Sequence, residues 1–98
     1  MGRIDGFDWD DGNREKCREH GVSTEEIESV FAGDSAVAAD PAHSGSEVRM
    51  RAVGRSESGR FVFVVFTIRM RSGQRLIRPI SARYMHPKEV RRYEETGP

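Results

Sequence analysis

Residues 61–68 run Phe-Val-Phe-Val-Val-Phe-Thr-Ile, an almost unbroken series of aromatic and β-branched side chains. Apolar character on both alternations predicts a central strand covered on both faces. Residues 47–53 alternate instead, with Val48, Met50 and Ala52 on one side and Arg49 and Arg51 on the other. That is the period of a half-buried strand. A shorter strand is expected over 35–39, closed by Asp40-Pro41, and 75–81 should return after a turn at 70–73. Pro79 cannot donate to a ladder, so that returning strand should be an edge or carry a bulge. Residues 42–46 read as a loop, and 54–59 carry turn signals.

The flanks have helical punctuation. Phe7, Asp8 and Trp9 form a short extended segment, after which Asp10 or Asp11 can cap a helix running to Glu19 or His20. Cys17 is its main candidate for burial, and Gly21 suits the left-handed position past its end. Ser23-Thr24-Glu25-Glu26 reads as a capping box, with Val22 and Ile27 as a hydrophobic staple. Ile27, Val30 and Phe31 then make an i, i+3, i+4 stripe that Gly33 ends. Pro87 suits the first turn of a closing helix, stapled by Met85 and Val90. The expected fold is α+β: two N-terminal helices, an antiparallel meander and one C-terminal helix, in a single domain over 1–98.

Length and composition narrow the function classes. A chain of 98 residues leaves no room for a separate cofactor domain. No apolar run approaches the ~20 residues needed to cross a bilayer, so no membrane association is expected. A lone cysteine forms no internal disulfide, which points to a reducing, cytoplasmic compartment. Net charge is zero, yet residues 1–47 carry 4 basic and 12 acidic side chains (−8) and residues 48–98 carry 12 basic and 4 acidic (+8). A basic patch built from the second half would be the footprint of a phosphate-bearing partner; solvated strand faces paired with nearby carboxylates would account for it equally.

No glycine-rich phosphate loop, nucleophile elbow, two-metal carboxylate cluster or His/Cys ligand spacing is present, so neither cofactor nor metal is expected. What remains is arginine in quantity, three histidines and two tyrosines. That inventory suits RNA cleavage by the substrate's own 2′-hydroxyl, where the protein orients the phosphodiester, stabilises its charge and moves protons. Arg49 and Arg51 project from one strand, and Arg78 and Arg83 from another and its end; each singly reads as surface charge, and their clustering raises the functional reading. His20 either caps the first helix or serves as general acid or base. His43 reads as a solvated loop residue, and His86 as a helix cap. Trp9 and the phenylalanines 61, 63 and 66 read as core, Tyr93 as packing, and Tyr84 is open to substrate contact.

The order and spacing of several short pieces carry a family resemblance: Phe7-Asp8-Trp9-Asp10, His20-Gly21-Val22-Ser23, Glu25-Glu26, Val30-Phe31, and Ile80-Ser81-Ala82-Arg83 ahead of a basic helix ending Tyr93-Glu94-Glu95. Over about residues 7–95 the chain resembles the BrnT family of type II toxins. The resemblance implies a RelE-like ribonuclease fold, RNA cleavage that halts translation, and neutralisation by a BrnA-type antitoxin through which alone operator DNA is met. By matching positions it implies His20, Arg49, Arg78 and Arg83 as catalytic candidates and adds Glu47 to Arg51 and Tyr84 as substrate contacts. Glu19 stands where the family usually has lysine, and Pro79 where it usually has an aliphatic residue. A rival reading is a catalytically silent module that pairs with a DNA-binding antitoxin and tunes operator binding. A homodimer is left open.

Overall fold

The computed structural model describes residues 2–40 and 47–96; the expected loop over 42–46, with Pro41 and His43, lies outside the described residues. The elements are β1 (Gly6–Phe7), α1 (Asp11–Arg18), α2 (Thr24–Ala32), β2 (Ser35–Ala39), β3 (Met50–Arg55), β4 (Phe61–Arg71), β5 (Gln74–Tyr84) and α3 (Pro87–Thr96). The strands form one sheet in the order β1-β5-β4-β3-β2, so the apolar run at 61–68 lies at its centre as expected.

The sheet is not wholly antiparallel. Gly6 and Phe7 pair in parallel with Leu76 and Ile77, which makes it mixed and corrects the antiparallel expectation. Two residues are too few to show a strand period, and the whole of the chain between them and β5 acts as the crossover a parallel pair requires. The meander β2-β3-β4-β5 is antiparallel throughout. β3 starts at Met50 rather than at 47, and Val48 is 68% exposed. Gly54 belongs to β3 rather than to the following turn: a Cβ there would lie 3.1 Å from Val30 Cγ1 and 3.1 Å from Ser35 Cβ, so the glycine admits α2 against the sheet. The tight β4–β5 connection is Ser72-Gly73, with φ of 51° and 76°, the double left-handed geometry of a two-residue hairpin loop.

One face of the sheet is covered by α1 and α2. Cys17, Val22, Ile27 and Val30 pack there on Ala52, Val62, Val64, Phe66, Ile77 and Ala82 in one continuous core. Val22 and Ile27 are both fully buried, as a staple requires. An aromatic chain of edge contacts links β1 to the core, Phe7 to Phe31 at 5.8 Å and Phe31 to Phe66 at 5.0 Å.

Pro79 is where the ladder changes step. Val65 pairs with Ser81 and Phe66 with Pro79, so Ile80 is the extra residue of a bulge. β5 is not a sheet edge, since β1 flanks it, but β1 ends opposite Ile77 and leaves Pro79 without a strand neighbour on that side. Asn13 fills the gap. Its Nδ2 donates to Pro79 O at 2.8 Å and to Asp8 O at 2.9 Å, while its backbone and Oδ1 complete a capping box with Asp10.

Candidate functional site

The other face of the sheet gathers the arginines. Alternation places Arg83, Phe63, Val53 and Ala36 in one row across β5-β4-β3-β2, and Ser81, Val65, Arg51 and Ala38 in the next. Arg78 stands opposite Thr67 in the row beyond. Arg49, one residue ahead of β3, continues the alternation, its carbonyl accepting the Asp40 amide at 2.9 Å. Core side chains occupy the intervening positions, which is why four arginines share one surface.

The two ends of this face differ. At one end the acidic first half of the chain meets the basic strands. Arg78 pairs with Asp10 at 2.8 Å and Asp8 at 3.6 Å, and Arg71 pairs with Asp8 at 3.1 Å. Glu47 takes Arg69 in a two-pronged pair at 2.7 and 3.1 Å, and Arg69, with Arg78 and Arg49 nearby, holds its carboxyl below the usual carboxylate range. Much of the charge asymmetry is therefore neutralised inside the molecule at this end.

At the other end Arg83 lies 5.0 Å from the centre of the Phe63 ring and makes a fork-to-fork pair with Glu89 of α3 at 2.8 and 2.9 Å. The Arg83 guanidinium, together with the His86 amide that donates to Glu89 at 3.0 Å, pulls the Glu89 carboxyl down to about 2. A phosphate presents two oxygens to arginine in the same geometry, so Glu89 occupies the position an anionic ligand would take. Arg51 is exposed and Arg92 projects from α3; neither has an ion pair among the described residues. Between α3 and the sheet is a groove of about 330 Å³, floored by Val53, Phe63 and the small side chains of β2 and walled by Met85 and Tyr93.

The remaining candidates lie elsewhere. His20 is exposed in the turn joining α1 to α2, in the helical layer, so the structure does not bring it to the arginines. Tyr84 faces the helices: its hydroxyl donates to Glu26 and its ring lies 3.5 Å beneath the Arg60 guanidinium. Glu26 also accepts Ser56 Oγ and Ser58 Oγ, both at 2.9 Å. It thus does not reach back to cap α2, and the expected capping box is half made, by Ser23 Oγ accepting the Glu26 amide at 3.1 Å. Glu19, the unusual acidic residue before His20, pairs with Lys16 at 3.5 Å. Sequence reading missed Glu89, whose i+6 relation to Arg83 spans a strand end and a helix start and follows no helical or strand period. Among the described residues no three His, Cys, Asp or Glu side chains gather as metal ligands, and no helix is long and apolar enough to cross a membrane.

Residues 9–89 match the family model described as the ribonuclease toxin, BrnT, of a type II toxin–antitoxin system. The chain belongs to the BrnT family. Membership makes it a type II toxin with an antitoxin as partner, and the matched span runs from Trp9 to Glu89. A comparison with curated proteins finds no match. Within this BrnT chain the match includes every candidate arginine, His20 and Glu89, and ends inside the first turn of α3.

Proposed function

We propose that this BrnT toxin cleaves RNA on the arginine face of its sheet, without a metal ion, and so inhibits translation in the cytoplasm until a BrnA-type antitoxin neutralises it. Operator DNA enters only through that antitoxin, and the toxin domain spans 1–98 with a RelE-like fold. The observation that carries the reading is the display of Arg49, Arg51, Arg78 and Arg83 on the sheet face opposite α1 and α2. Strands hold such side chains at fixed spacing, and arginine supplies the planar fork that phosphate oxygens accept. Arg83 is the proposed phosphate anchor, because its partner Glu89 sits on a helix with no buried residue and can yield to a phosphate. Arg51 extends the cationic track toward β2, with Arg49, Arg78 and Glu47 at the far end.

A second reading is a catalytically silent module that pairs with its antitoxin and tunes operator binding. The engagement of both Arg83 and Arg78 by carboxylates favours it. Induced expression separates the two. An active toxin arrests growth, is rescued by its antitoxin, and as purified protein cleaves RNA in the presence of a chelator. Growth without arrest, and intact RNA at high toxin concentration, would establish the silent module instead.

A further inference from the structure

β2 is an outer strand of the sheet, and nothing among the described residues pairs with its free side. The Asp40 amide donates to Arg49 O just beyond the ladder, a phase that makes Ala38 and Ala36 the residues exchanging hydrogen bonds with β3, whereas Ser35, Val37 and Ala39 direct their N–H and C=O groups away from the sheet. Edge strands are ordinarily blunted by charge, proline or a bulge. β2 reads Ser-Ala-Val-Ala-Ala, with no charge, no proline and an unbroken register against β3.

The groove beneath α3 adjoins this edge. Ala36 and Ala38 face it, and their short side chains leave its β2 side open. Its floor is apolar, while Arg51 and Arg92 stand on its rim and its one carboxylate, Glu89, is taken up by Arg83. A nucleobase entering here would leave its hydrogen-bonding edge against Val53 and Phe63, an unfavourable burial. An extended peptide suits all the features together. Its main chain pairs with β2, alternate apolar side chains enter the groove, and its carboxylates meet Arg51 and Arg92.

We infer that β2 and the adjoining groove are the docking surface for an extended, acidic segment of the antitoxin, which binds by adding a strand to the sheet. The inference rests on the family's pairing with an antitoxin and not on RNA cleavage, so a catalytically silent toxin tests it equally well. Such a segment would lie alongside the arginine face, and occupation of the groove would block access to Arg51 and Arg83.

The test is amide hydrogen exchange over β2 in the whole toxin, alone and with the antitoxin, together with antitoxin affinity for two variants. Val37 and Ala39 should exchange freely in the toxin alone and become protected in the complex. Ala39→Pro removes an outward donor and leaves the bonds to β3 in place; it should weaken antitoxin binding by about tenfold or more, as loss of one or two main-chain bonds predicts. Arg92→Glu should weaken it at low salt and progressively less as salt screens the repulsion. Should Ala39→Pro fail to fold, exchange in the unsubstituted protein and the Arg92→Glu affinity decide. Val37 and Ala39 amides that stay unprotected in the complex, or full affinity in both variants, would overturn the inference. Protection that appears with an RNA oligonucleotide but not with antitoxin, or that rises with toxin concentration alone, would overturn it as well.

Discussion

The carboxylate of Glu26, on the first turn of α2, accepts the hydroxyl of Tyr84, at the end of β5 and 58 residues further along the chain. Two serines of the β3–β4 turn donate to the same carboxylate. Glu26 thereby ties a helix, a turn and a strand end together, where local sequence would have used it to cap its own helix. Burial raises the Glu26 carboxyl pKa, but the bonds from Tyr84, Ser56 and Ser58 outweigh it and leave the group below its ordinary value.

Glu26→Gln and Tyr84→Phe should each destabilise the protein, by roughly 1–3 kcal/mol for loss of a hydrogen bond to a charged group. The double variant should cost less than the sum of the two, because the residues share one bond. Urea unfolding of the four proteins measures the coupling, and strict additivity would mean that the bond contributes nothing.

Asn13 carries a comparable load on the other side of the core. It is 6% exposed, and its side chain serves the Asp10 amide, Asp8 O and Pro79 O at once. Asn13→Ala should cost on the order of 1–3 kcal/mol for each buried group left unpaired, and Asn13→Asp should not restore the loss, since a carboxylate cannot donate to Pro79 O. Thermal unfolding reads both, with the larger effect expected here than at any exposed residue of α1.

These two residues also show where sequence reading stops. Periodicity found the central strand, the staple of Val22 and Ile27, and the α3 start at Pro87, because each is written in neighbouring residues. Pro79 signalled its bulge because proline announces a missing donor. Asn13 binding Pro79 is a contact across 66 positions and leaves no local pattern, and the extended segment at Phe7 was legible while its parallel pairing with the equally remote Leu76 and Ile77 was not. The arginines were legible as strand positions, but their partners were not: Asp8, Asp10 and Glu89 sit outside the strands that carry the arginines.

Glu89 supplies a pH dependence. Its pKa is lowered from 4.5 to about 2, chiefly by Arg83 and then by the His86 amide. A carboxylate with a depressed folded-state pKa contributes stability that is fully present above the unfolded value and is lost as pH falls through the folded one. The anchoring of α3 should therefore persist from neutral pH to about 4.5 and weaken between about 4.5 and 2. The His86 backbone amide resonance should report the transition. Glu89→Gln should lack it and show the more mobile α3 already at neutral pH.

Arg83 and His20 make opposite predictions from their positions. Arg83 stands on the sheet face away from α1 and α2, paired with Glu89 of α3 and close to the Phe63 ring; His20 sits in the turn between α1 and α2. Electrostatic stabilisation of a developing phosphate charge is worth roughly 3–4 kcal/mol per donor, or about 10²–10³ in rate. Arg83→Ala should therefore abolish growth arrest and reduce RNA cleavage by about that factor, with an unchanged circular dichroism spectrum. Arg83→Lys should restore little, because an ammonium cannot hold two oxygens in one plane. His20→Ala should leave cleavage within a few-fold of the parent, because its position in the α1–α2 turn keeps it from the arginine face. A loss of cleavage in His20→Ala comparable to that in Arg83→Ala would bring the α1–α2 turn into the reaction. Arg83→Ala protein that cleaves at the parent's rate would move the phosphate anchor to Arg51 or Arg78.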